Sequence, residues 1–258
     1  MTYSSYKCEL LINKQVLSNA TCFAYRKSDK TYLVSNWHVF SGINSETGHH
    51  MHNSACSPSH IRVYFPHKQY LSLAIPVEFE LGGPMDSNSW KWVEHKKGSA
   101  IDVGLLEIEV PDNINLITVD FHDQDKHSIM TVGADIFVCG FPIGIGLTDT
   151  GAIWKRGSIA SEPFVGHQGL PRFLVDTATR EGMSGAPVYL ATNYVRANIL
   201  TQPGDADFET PWRTSPHFTF VGIYSGRLGQ DEFKAQLGLV WRNSIIDEII
   251  DEANSPIY

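Results

Sequence analysis

The sequence predicts an all-β protein that finishes in one helix, and three observations carry that reading. Short runs rich in β-branched and aromatic residues recur from Cys8 to Trp241, each bounded by turn-forming residues. Glycine (21) and proline (13) are spread along the 258 residues, as many turns require, rather than gathered in one linker. Only Asn243 to Glu252 has helical spacing, with Ile245, Ile246, Ile249 and Ile250 on one face.

Taken in order, Cys8–Ile12 and Ala20–Tyr25 are separated by a polar break, as in a hairpin. Lys30–Ser35 is a third strand, and it runs into Asn36-Trp37-His38-Val39-Phe40, ending at Gly42. His38 therefore stands just past a buried strand, where a side chain is held firmly and still reaches a cleft. A histidine in such a place is also met as a purely structural residue. Gly48 to His60 is dense in histidine, with Cys56 among them. It reads as a polar loop, since its spacing fits no zinc finger; zinc is the competing reading.

Strands resume at Ile61–Phe65 and Leu71–Leu81, the latter interrupted by Pro76, and Trp90–Val93 alternates in the strand manner. Asp102 lies at an apolar strand entry, Ala100 to Ile108. A carboxylate buried there needs a partner, because a bare charge is costly to bury. It either bonds nearby amides or orients an imidazole. Residues 111–130 are acidic and irregular and read as a linker between an N-terminal part, 1–110, and a C-terminal part, 131–258. In the second part strands are expected at Asp135–Cys139, Ala152–Ala160, Arg172–Asp176, Ala186–Leu190, Phe218–Gly226 and Leu237–Trp241. Asn193 to Pro216 reads as a long polar loop. Asn243 or Ser244 is expected to cap the terminal helix, whose early acids suit its dipole.

Composition narrows the function classes. A net charge of -8 argues against nucleic acid or an anionic membrane as the main partner. No apolar run is long enough to span a bilayer, and Met1 to Lys7 contains no signal-peptide apolar region. Cys8, Cys22, Cys56 and Cys139 show no paired spacing, which points to free thiols in a reducing compartment, the cytoplasm; a Cys8–Cys22 bridge is the alternative.

The chemistry centres on Thr179-Arg180-Glu181-Gly182-Met183-Ser184-Gly185-Ala186-Pro187. A serine hydroxyl is a weak nucleophile and needs a base. Glycine on both sides lets the backbone turn sharply and approach a substrate closely. Such a turn aims the amides of Gly182 and Ser184 at one point, where they would hold a developing oxyanion. Glycine and serine also build ordinary turns, so this stretch needs a base and an acid elsewhere.

Ser35-Asn36-Trp37-His38-Val39, Ile101-Asp102-Val103-Gly104-Leu105-Leu106 and Gly182-Met183-Ser184-Gly185-Ala186-Pro187 supply them in that order. Together they resemble the trypsin-like (chymotrypsin-fold) serine peptidases, over roughly Cys8 to Ala253. The likeness is greatest to the bacterial branch without disulfides, the glutamyl endopeptidases and high-temperature-requirement proteases. The resemblance implies two six-stranded antiparallel β-barrels with a C-terminal helix. It assigns His38 as base, Asp102 as orienting acid and Ser184 as nucleophile, with Gly182 and Ser184 as oxyanion hole. It places Thr177, Ala178 and Thr179 on one wall of the primary pocket and Tyr224, Ser225, Gly226 and Arg227 on the other. No acid stands at Ala178, so a preference for arginine or lysine is not implied.

The expected activity is peptide hydrolysis, with a polypeptide as substrate and neither cofactor nor metal. Met183 stands where digestive relatives carry an aspartate that pairs with a new N-terminus. Activation by cleavage is therefore not expected, and an activating protein partner is the alternative, as is a non-catalytic binding module. An α/β-hydrolase is disfavoured because that fold orders its residues serine, acid, histidine.

Overall fold

The computed structural model describes residues 1–53, 55–83, 89–119, 130–195, 214–228 and 237–255. Half of the expected linker (120–129), and the central part of the expected loop between Asn193 and Pro216, lie outside these residues.

The first sheet begins with β1 (Ser5–Ile12) and β2 (Gln15–Lys27), paired from Ser5↔Phe23 to Ile12↔Gln15. The turn between them is only Asn13 and Lys14, both at positive φ (49° and 66°). A two-residue turn with both residues left-handed matches the right-handed twist of the strands it joins. β3 (Lys30–Ser35) follows through a second two-residue turn at Ser28 and Asp29. After the single helical turn α1 (Trp37–Ser41) come β4 (His60–Pro66), β5 (Ala74–Glu80), β6 (Val93–Glu94) and β7 (Gly104–Glu107). The seven strands are ordered β5-β4-β1-β2-β3-β7-β6. Pro76 sits in β5, at the edge of the sheet, where its missing N–H interrupts no ladder. Of the alternating stretch Trp90–Val93 only Val93 is strand, with Glu94 beyond it. Trp90 and Trp92 stack instead on each other at 4.3 Å and edge-on against Trp37.

The second sheet comprises β8 (Asp135–Gly140), β9 (Ile153–Ile159), β10 (Arg172–Asp176), β11 (Pro187–Val195), β12 (Thr214–Arg227) and β13 (Leu237–Arg242). It closes as the six-stranded antiparallel barrel β10-β13-β12-β11-β8-β9. β11 and β12 run further than the sequence suggests, pairing to Val195↔Thr214 through residues expected to be loop.

The helix α2 (Ser244–Ala253) ends the described fold and buries Ile245, Ile246, Ile249 and Ile250. Asn243 stands at its N-cap but does not cap it; its side chain donates to the Phe220 carbonyl at 2.9 Å. One apolar core lies within each sheet, and a third joins Phe23, Val34 and Val103 to Phe141, Ile223, Trp241 and α2. The active-site candidates lie along this seam.

The chain ends cross it in opposite directions. Near the N-terminus, Thr2 accepts from the Ala152 amide at 3.0 Å, just before β9, and Ser4 bonds the Tyr189 hydroxyl on β11. At the other end α2 lies against the first sheet, where Lys27 pairs with Asp247 at 3.0 Å and Asp251 at 2.6 Å.

Candidate active site

α1 fixes His38. Asn36, extended at φ -75°, breaks from β3 and turns the chain into the helical turn; Gly42, at φ +71°, ends it by donating to the His38 carbonyl. Few residues other than glycine accept that left-handed conformation, and a Cβ there would also meet Pro58 at 2.6 Å. Trp37 and Phe40 pack this turn against Trp92. The Asn36 side chain donates to the Asp102 carbonyl at 2.9 Å, tying the turn to the entry of β7.

Asp102 is buried and surrounded by donors. It accepts from the His38 amide at 2.9 Å, from His38 Nδ1 at 2.8 and 3.0 Å, and from the Ser225 hydroxyl. Those bonds answer the cost of burying the charge. With Nδ1 committed to the carboxylate, Nε2 is the ring atom left to accept a proton. Burial disfavours the imidazolium of His38, but the charge and hydrogen bond of Asp102 outweigh it and raise the pKa above the ordinary histidine value.

The Ser184 loop joins β10 to β11, and its carbonyls are held away from the serine. Glu181 accepts from the Ile143 amide at 2.6 Å, Gly182 from the Thr21 hydroxyl at 2.7 Å, and Ser184 from the Thr21 amide at 3.0 Å. Thr21 also accepts from the Phe141 amide at 3.0 Å. Gly185, at φ +82°, donates to Tyr224, and a Cβ there would lie 2.1 Å from Ser35 Oγ. Among the described residues the amides of Gly182 and Ser184 find no protein acceptor, and Ser184 Oγ has no hydrogen-bond partner. His38, Gly182 and Ser184 together line a cavity of about 480 Å³.

None of the seven residues expected on the pocket walls borders that cavity. Thr177 and Thr179 are buried; Thr177 donates to the Arg156 carbonyl, and Thr179 bonds the Tyr224 hydroxyl. Burial raises the pKa of Tyr224, against the opposing effects of the Thr179 bond and the Arg227 charge, so it stays a neutral phenol. Ser225 faces Asp102, while Ala178 is exposed and Gly226 and Arg227 are half-buried. The histidine-rich loop contributes Met51, His52 and Cys56 to the cavity wall, and among the described residues no group of three side chains could hold a metal ion.

Sequence reasoning missed Thr21 and the Ser225–Asp102 contact. Thr21 is one polar residue in a stretch of β2 buried throughout from Ala20 to Tyr25, and its partner Gly182 is 161 positions away, so no local signal exists.

The sequence profile of the trypsin-like peptidase domain matches residues 20–197. Among curated proteins none matches the chain. Similar solved structures include a serine endoprotease from Yersinia pestis, at 13% identity and a TM-score of 0.54, over 97% of this chain and 62% of that one. The HtrA-type protease AlgW with a tripeptide is also similar, at 13% identity and a TM-score of 0.52, over 97% of this chain and 60% of that one. The chain thus spans about three fifths of the length of these structures, and the likeness shows a shared chymotrypsin-like fold.

Proposed function

Because the chain belongs to the trypsin-like peptidase family, we propose that it is a serine endopeptidase that cleaves peptide bonds through an acyl-enzyme on Ser184. The observation that carries this is the pairing of His38 Nδ1 with the buried Asp102 carboxylate, beside a serine whose loop leaves two amides unengaged. Ser184 Oγ attacks the substrate carbonyl while His38 Nε2 takes the hydroxyl proton. Asp102 holds the tautomer and stabilises the imidazolium. The amides of Gly182 and Ser184 receive the oxyanion, each contributing on the order of 3 kcal/mol. Collapse breaks the C–N bond, and the imidazolium returns its proton to the leaving amine. Water, deprotonated by His38, then attacks the ester carbonyl and releases Ser184.

The Glu181 carbonyl bonded to Ile143 supports a site assembled within the chain alone, in preference to one ordered by an activating partner. That none of the four cysteines is in a disulfide fits a reducing compartment, and we place the protein in the cytoplasm. No helix of the described residues is long and apolar enough to cross a membrane.

The test is intact-mass analysis after exposure to a small fluorophosphonate, alongside His38→Ala and Ser184→Ala. We expect one adduct on Ser184 of the wild type and none on either variant. A folded wild type that takes up no adduct would refute the assignment.

A further inference from the structure

Two observations on opposite flanks of Ser184 bear on what the site selects, given the peptidase reading above. On the β12 flank the Tyr224 side chain is itself the filling. Its ring is 1% exposed and belongs to the barrel core, and its hydroxyl bonds Thr179, also 1% exposed. A Cβ on Gly238 would lie 2.5 Å from Tyr224 Cε2, so β13 carries glycine where the ring needs the space. β12 passes close to the serine, since a Cβ on Gly226 would lie 3.9 Å from Ser184 Oγ. The two walls that should bound an acyl-side pocket are thus bonded to each other across it.

On the other flank lies the cavity of about 480 Å³. That is within the usual range for small-ligand sites, about 300–1,000 Å³. It extends from His38 toward β2 and the loop beyond α1, and its apolar lining includes Leu10, Leu17, Val39, Met51, Pro58 and Ile143. Ile143 is 63% exposed at its edge, and Ile145 and Leu147 continue the apolar surface at 56% and 72%. The carboxylate on the lining is that of exposed Glu181, which disfavours acidic side chains.

We infer that this chain selects substrates mainly on the leaving-group side. The residue donating the scissile carbonyl is small, because Tyr224 occupies its pocket. The residues after the scissile bond are apolar, because the cavity beside His38 receives them. The occupant is polypeptide downstream of the cut, entering where the leaving amine must depart.

Two arms test this on the intact wild-type chain, so no variant has to fold. The first compares the rates at which diphenyl phosphonates of alanine and of phenylalanine modify Ser184, read by intact mass. The alanine probe should react at least about ten-fold faster; an equal or faster phenylalanine probe overturns the inference. The second forms an acyl-enzyme from an acetyl-alanyl thiobenzyl ester and lets amino-acid amides compete with water for it. The amine nitrogen attacks the ester carbonyl, the new C–N bond forms and Ser184 Oγ leaves. Leucinamide should capture the acyl group about ten-fold better than glycinamide or the amide of aspartic acid; equal capture overturns the inference. The small fluorophosphonate separates the two levels. If it fails to label Ser184, the peptidase reading falls and this inference with it. If it labels Ser184 and neither arm shows preference, this inference alone falls.

Discussion

Asp102 does more for His38 than hold it in place. Burial alone would leave the imidazole reluctant to charge, and the carboxylate reverses that sign. Two consequences run in opposite directions with pH. A general base must be neutral, so turnover should rise as pH climbs through the raised His38 pKa. The stability this pair contributes is fully present below the ordinary histidine pKa and is lost as pH rises through the raised one, because the folded state binds the proton more tightly. Asp102→Asn removes the charge and leaves the burial. The acid limb of kcat/KM against pH should then move to lower pH, while kcat falls by about 10³–10⁴ as the tautomer control is lost. A limb that stays in place would mean that the carboxylate charge is not what sets it. His38, Asp102 and Ser184 were legible as candidates because each sits in a short motif in a recognisable order. Ser225 was expected on a pocket wall, whereas its hydroxyl donates to Asp102. Its bond to Asp102 spans 123 positions and depends on where β12 meets the seam, which no spacing encodes.

Among the elements, β2 has a part that its composition hides. Its start is set by the tight Asn13-Lys14 turn, its end holds α2 through Tyr25 and Lys27, and its middle reaches the serine loop through Thr21. Thr21→Val keeps the shape and removes the hydroxyl, leaving the Gly182 carbonyl and Phe141 amide without it. We expect a stability loss of about 1–3 kcal/mol in denaturant unfolding, from two buried groups left unsatisfied. Fluorophosphonate labelling at full folding should slow further than that loss explains, since the Gly182 peptide is no longer fixed; unchanged labelling would show that Thr21 only supports the fold. β2 also shows the limit of strand reading. The polar residues of Gln15–Asn19 looked like a break because they face solvent, yet they are hydrogen-bonded to β1. The reverse held at Trp90–Val93, where alternation reflected one-sided burial of stacked rings rather than a ladder.

For the whole molecule, the core that matters most to the site is the one between the sheets, since the catalytic candidates come from both. Ile249 is fully buried in it, on a helix that follows the closed barrel and rests on the first sheet. Ile249→Ala should cost about 2–5 kcal/mol and leave a single unfolding transition, with fluorescence and Ser184 labelling lost at the same denaturant concentration. Labelling lost well before fluorescence would mean that the seam opens while the sheets persist. The all-β class was readable from β-branched and aromatic runs between turn residues, and the closing helix from its periodicity. The burial of Tyr224 against Thr179 was not, because it depends on which way Tyr224 points from a strand whose neighbours were unknown.

The crossed chain ends also determine how the molecule bears load. The N-terminal residues are fastened to the second sheet and α2 to the first, so tension applied between the two ends acts on both fastenings before it reaches either set of strands. Each fastening is a few contacts, whereas the six strands of the barrel are hydrogen-bonded around a closed ring. A pulled chain would therefore shed its straps first, and the seam carrying His38 and Ser184 would slacken while most of the sheet structure still held.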